Sequence, residues 1–328
     1  MVKILLTHTP AMRRGYYGDR ALAALAELGE VILHEGEAPL DPTALTAAAD
    51  GVDIVVSDRM TAAPAEIFAS LPSLKAFLRC AVDIRNVDVD AASRQGILVT
   101  RATPGFAPAV SELAVGFMVD LARGISRLSS AYRPGVTDAM PMGRQISGST
   151  AGIIGYGAIA RHLAPILAAM GMTVLVFDPY ATVDDPRFDQ VSMDDLLSTA
   201  DFVFCLAPAT EETENLMDEA AFQRMKEDAC FINLSRGNLV DEAALEAALK
   251  DGSIAGAAMD VGRAPDQMPS PGLAALPNVV ATPHIGGLTP QAIEHQALDT
   301  VAQVAALVAG EVPPHAVNAD RWARRLHR

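Results

Sequence analysis

The stretch AGIIGYGAIA, Ala151 to Ala160, decides the fold. Its apolar start, Ala151 to Tyr156, reads as a strand running into Gly155-x-Gly157-x-x-Ala160. In such a turn the first glycine makes the bend, the second lets a pyrophosphate approach the main chain, and a small third residue lets helix and strand pack closely. The helix expected next carries Ile159, Leu163, Ile166, Leu167 and Met170 on one stripe, with a local kink at Pro165. Its free N-terminal amides suit a phosphate. Thr173 to Phe177 reads as the following strand, and Asp178 closes it. A carboxylate there can bind both ribose hydroxyls of NAD and repels the 2′-phosphate of NADP. These residues predict an NAD site built on Gly155, Tyr156, Gly157, Ala158, Ile159 and Asp178.

The same alternation extends in both directions. Strands are predicted at Lys3 to Thr7, Val31 to His34, Asp53 to Ser57, Lys75 to Arg79 and Ile97 to Thr100. A second set follows the glycine-rich turn, at Phe202 to Leu206, Cys230 to Leu234, Ala255 to Met259 and Asn278 to Thr282. Strands separated by one helix each indicate parallel sheets with right-handed crossovers, here two of them. The break falls around Ala102-Thr103-Pro104-Gly105, before a long helix predicted over Ala109 to Leu128. Arg133 to Ser149 is polar and rich in Pro and Gly, and Pro290 to Val308 reads as a helix closed by Gly310.

With 328 residues the chain is long enough for two cores. A formal charge of −15 argues against nucleic acid, which calls for a basic surface. The start MVKILLTHTP has too short an apolar core for a signal peptide, and no run approaches the ~20 apolar residues of a membrane-spanning helix. Cys80, Cys205 and Cys230 lie far apart without metal-ligand spacing, so no metal is expected. A protein of the cytoplasm with free thiols is the expectation.

Chemistry is expected where strands end. Arg236 follows the predicted strand at Cys230, and a guanidinium offers two parallel donors to a carboxylate. His284 follows Thr282-Pro283, and an imidazole can take a proton from a hydroxyl or return it to a carbonyl. Either residue alone would more often be structural.

Taken together, the glycine turn, Asp178, Asn233-Leu-Ser-Arg236-Gly237-x-Leu-Val-Asp241-Glu242, Ala258-Met-Asp260-Val261 and Thr282-Pro-His284-Ile-Gly286-Gly287 resemble the D-isomer-specific 2-hydroxyacid dehydrogenase family. Its branches include glyoxylate/hydroxypyruvate reductases and phosphoglycerate dehydrogenases. The resemblance implies an α/β architecture of two doubly wound parallel-sheet domains with an interdomain cleft. A flavodoxin-like substrate domain would comprise residues 1–101 and 289–328, and a Rossmann NAD domain residues 102–288. It further implies hydride transfer between NAD and a small 2-hydroxy or 2-oxo acid. Arg236 would anchor carboxylate and carbonyl, His284 would be acid/base, Val82 and Asp83 would touch substrate, and Ser235, Asp260, His284 and Gly286 would adjoin the cofactor. A homodimer is implied, with contacts expected from the helix at Ala109 and from Arg133 to Ser149.

Two departures stand out. The family usually carries Glu at the position of Pro265, where it bonds the histidine; Asp266 follows it here and is the expected replacement. Asp83 introduces a carboxylate beside the expected substrate carboxylate, which Arg85, or the substrate itself, would have to compensate. Two alternatives therefore accompany the reductase reading: oxidation of another small anion, such as formate or phosphite, and an NAD(H)-sensing, corepressor-like protein with little turnover.

Overall fold

Short apolar runs, largely buried on both faces in the inner strands, form two parallel sheets, as expected of sheets covered by helices on each side. The computed structural model describes residues 1–135 and 141–326 and separates into two units, Met1–Gly105 with Thr289–Arg328, and Phe106–Leu288.

The first unit holds β1 (Lys3–Leu6), β2 (Glu30–Leu33), β3 (Ile54–Ser57), β4 (Ala76–Arg79) and β5 (Leu98–Arg101). Their order, β2-β1-β3-β4-β5, is that of flavodoxin-like sheets. Both ends of the chain build it. The helix Pro290–Ala309, opened by the Thr289 cap and stopped by left-handed Gly310, buries Ala297, Val304 and Leu307 in one core with Ile4, Leu6, Val56 and Leu98.

The second unit holds β6 (Thr150–Ile154), β7 (Thr173–Phe177), β8 (Phe188–Gln190), β9 (Phe202–Cys205), β10 (Cys230–Asn233), β11 (Gly256–Met259) and β12 (Val279–Ala281), in the order β12-β11-β10-β9-β6-β7-β8. The order reverses at β6, and every strand is parallel to its neighbours, so all their carboxyl ends share one edge. That edge positions the site.

Two details differ from expectation. The edge strand β8 has one buried residue, Phe188, and so lacks the apolar run that would reveal it. The long helix expected over Ala109 to Leu128 is two helices, Ala107–Arg123 and Ile125–Tyr132, because Gly124 takes a left-handed φ of 64° between them. The helix Ala158–Ala169 carries Pro165 in its interior. Part of the segment Arg133 to Ser149, residues 136–140, lies outside the described residues.

Candidate active site

The turn after β6 is built as its glycines require. Gly155 adopts φ 91°, and a Cβ there would lie 2.6 Å from the main chain of Ala207. At Gly157 a Cβ would meet nothing within 4 Å, which leaves the main chain approachable. The helix Ala158–Ala169 begins there without a side-chain cap, so its first amides have no side-chain acceptor. Open main chain and uncapped amides fit a pyrophosphate, and these residues can hold a dinucleotide.

Asp178, at the end of β7, accepts from the Tyr156 amide at 2.7 Å and from the Tyr180 and Ala181 amides at 2.8 Å each. Burial works against its ionisation, but the three amides and nearby Arg161 outweigh burial and hold its carboxyl below the usual range. The Arg161 guanidinium also lies 4.3 Å above the Tyr156 ring. The acid is thus tied to the glycine turn.

Arg236, Asp260 and His284 follow three neighbouring strands, β10, β11 and β12. Buried Asn233 shapes the first turn, its side chain donating to the Arg236 carbonyl at 3.0 Å and accepting from the Ser235 amide at 3.1 Å. Ser235 Oγ donates to the carbonyl of Ala207, the residue that walls Gly155. Half-buried Arg236 is thereby fixed at the carboxyl edge.

Asp260 is buried and clamps the turn that carries the histidine. Its carboxylate accepts from Thr282 Oγ1 at 2.6 Å, the Ile285 amide at 2.8 Å and the Gly286 amide at 2.7 Å. A Cβ on Gly286 would lie 2.8 Å from that carboxylate, so only glycine fits without displacing it. Held from both sides, His284 adopts a left-handed φ of 56°.

His284 Nδ1 meets Asp266 at 3.0 Å, and the acceptor is the main-chain carbonyl. The expected bond from a carboxylate at position 266 is corrected in its atom. Asp266 and Gln267 have φ of 55° and 58°, each an excursion costing roughly 1–2 kcal/mol for a residue with a Cβ, and this turn directs the carbonyl at the ring. The surrounding loop is pinned. Glu242 accepts from the Arg263 amide at 2.9 Å and from Ser270 Oγ, while the Gly262 amide donates to the Gln267 carbonyl at 2.8 Å. Gly237, next to Arg236, packs against this loop, since a Cβ on it would lie 2.2 Å from the Gly262 carbonyl. Sequence reasoning missed Thr282 and the positioning role of Glu242, whose partners are remote in the chain.

Val82 and Asp83 belong to the first unit, in the turn after β4. Arg85 forks onto the Asp83 carboxylate, with Nε at 3.0 Å and Nη2 at 2.7 Å, so the charge on Asp83 is matched locally. Arg79, fully buried, supports this turn from below: it donates to the carbonyls of Asp58 and Thr61 and to Asn86 Oδ1. Cys80, Cys205 and Cys230 are buried free thiols, pushed up by burial to about 12, 12 and 11. Among the described residues no cluster of His, Cys, Asp and Glu is placed to hold a metal ion, and no helix is long and apolar enough to cross a membrane.

Comparison with known proteins adds to this geometry. The family model for the D-isomer specific 2-hydroxyacid dehydrogenase NAD binding domain matches residues 115–286. D-3-phosphoglycerate dehydrogenase of Mycobacterium leprae is 35% identical over 303 residues, 91% of this chain but 57% of that protein. Hydroxypyruvate reductase of Thermotoga maritima is 32% identical over 256 residues, 77% of this chain and 84% of that one. Among solved structures, a Thermus thermophilus protein superimposes with a TM-score of 0.85 at 30% identity, over 96% of this chain and all (100%) of the other. Apo D-lactate dehydrogenase of Escherichia coli gives 0.79 at 28% identity, covering 96% and 100%.

Proposed function

The chain belongs to the D-isomer specific 2-hydroxyacid dehydrogenase family, with an NAD-binding second unit, and we propose that it interconverts a D-2-hydroxy acid and its 2-oxo acid. The observation that carries this reading is the placement of Arg236 after β10 and His284 after β12, on either side of β11, at the edge that bears the glycine turn. NAD, when bound, would supply the hydride acceptor for oxidation at C2 of the hydroxy acid and, in its reduced form, the hydride donor for reduction of the 2-oxo acid. Asp178 would hold its ribose and favour NAD over NADP. Gly155, Tyr156, Gly157, Ala158 and Ile159 would receive its pyrophosphate, and Ser235, Asp260 and Gly286 would shape the nicotinamide end.

In this reading the Arg236 guanidinium holds the substrate carboxylate and polarises the 2-oxo group. His284 Nε2 takes the hydroxyl proton during oxidation and returns it to the carbonyl oxygen during reduction. Val82 and Asp83 supply further substrate contacts, with Arg85 neutralising Asp83. The protein would act as a cytoplasmic homodimer.

Purified protein mixed with NADH and a panel of 2-oxo acids tests this. Turnover on at least one acid, lost in His284→Ala, is expected. NADH binding without turnover on any acid would count against catalysis and favour a sensing role.

A further inference from the structure

From the contact between His284 Nδ1 and the Asp266 carbonyl oxygen, 3.0 Å, we infer that a main-chain carbonyl, and not an acidic side chain, sets the tautomer of the histidine in this protein. The inference rests on the acid/base role proposed above for His284. A carbonyl oxygen only accepts, so the ring nitrogen facing it must carry the hydrogen. Nδ1–H is therefore retained, and in the neutral ring Nε2 bears the lone pair. All proton exchange with substrate passes through that one nitrogen.

The surrounding chain is organised to hold this arrangement. Three of the five non-glycine residues with left-handed φ among the described residues are Asp266, Gln267 and His284, the two sides of this contact. Pro265 opens the turn in place of a residue able to offer a carboxylate. Main-chain bonds from Gly262 to Gln267 and from Ala264 to Met268, 2.8 and 3.0 Å, close the loop behind the carbonyl. Glu242 holds both its ends. Asp260 fixes the opposite side through Thr282, Ile285 and Gly286. Asp266 is thus a positioning residue that acts through its backbone, and the loop does the work of a buried acid without placing a second charge on the imidazole.

A carbonyl and a carboxylate partner differ when the side chain is changed. Asp266→Asn removes the charge and keeps the carbonyl; Asp266→Gly does the same and is at ease at φ 55°. The experiment is a long-range 1H–15N correlation spectrum of the full-length protein labelled with 15N-histidine, under conditions where imidazoles are neutral. His284 is assigned by the signals lost in His284→Ala. A pyrrole-like Nδ1 and a pyridine-like Nε2 are expected in the parent and in both Asp266 variants. An Nε2–H tautomer or an averaged pair in the parent, or loss of the signature on conversion to Asn or Gly, would overturn the inference. The spectrum needs neither substrate nor turnover. An inactive protein with the expected spectrum would therefore refute the catalytic reading alone, and an active protein with the wrong tautomer would refute this inference alone.

Discussion

Asp260 holds both flanks of His284: its carboxylate accepts from Thr282 two residues before the histidine and from Ile285 and Gly286 just after it. A buried carboxylate saturated by a hydroxyl and two amides rigidifies a turn that would otherwise relax from a left-handed histidine. Asp260→Ala leaves these donors unsatisfied, at a cost of roughly 2–4 kcal/mol. The urea midpoint should fall, and kcat/KM should drop by about a hundredfold or more. Unchanged kinetics would show that the turn holds itself.

Gly237→Ala probes the neighbouring contact. A methyl group directed at the Gly262 carbonyl must push away the loop that carries Asp266. Overpacking of this kind costs about 1–3 kcal/mol, and kcat should fall by roughly tenfold through the displaced carbonyl. Retained stability together with a retained kcat would contradict the tight packing.

Asp178, proposed to hold the ribose of the cofactor, is also bonded to the glycine turn. In Asp178→Ala three amides lose their acceptor, and the carboxylate proposed to repel a 2′-phosphate is gone. NADH affinity should weaken by roughly tenfold to a hundredfold, equivalent to about 1.4–3 kcal/mol, while the preference over NADPH narrows. Titration of intrinsic cofactor fluorescence with both nucleotides measures this; an unaltered preference would remove Asp178 from the discriminating role.

His8 predicts a pH window of stability. It is buried after β1, edge-on to Tyr17 at 5.1 Å, and burial lowers its pKa to about 4 against the pull of Asp58. The unfolded chain, with histidine near ~6.5, binds the proton first as pH falls. Stability should therefore be fully present above pH ~6.5 and decline down to about 4, by on the order of 3 kcal/mol. Urea denaturation across that window should show the slope in the parent protein and much less of it in His8→Asn; equal slopes would place the sensitivity elsewhere.

Association is predicted from the second unit. A groove of about 800 Å³ runs beside the edge strand β12, lined by Leu121, Arg123, Arg127, Met142, Val279 and Val280. Sedimentation should give a dimer, and Arg127→Glu, at an exposed residue of this groove, should shift it toward monomer. A monomeric parent protein would contradict the proposed assembly.

Much of the architecture was legible because apolar runs of strand length alternate with helical stripes, and because Gly155, Gly157 and Asp178 mark one turn through local spacing. Arg236 and His284 were legible because each follows an apolar strand. The partner of His284 was legible only as a residue. A left-handed backbone at Asp266 and Gln267 has no signature in propensities that steer such residues toward φ below zero, so the sequence suggested a carboxylate where the fold presents a carbonyl. Asp260 and Glu242 stood inside recognisable motifs, yet their work depends on residues brought together from separate strand ends. The strand β8 and the break at Gly124 escaped for simpler reasons, a nearly unburied edge and a single glycine within an apolar stripe.

The most direct test of the proposed activity follows an isotope. Protein is mixed with NADH deuterated at the transferable position of C4 and with the best 2-oxo acid acceptor, and the product is analysed by mass spectrometry and chiral chromatography. One deuterium at C2 of a D-2-hydroxy acid is expected, with none transferred by His284→Ala. Bound NADH that delivers no deuterium to any 2-oxo acid, or an L-configured product, would contradict it.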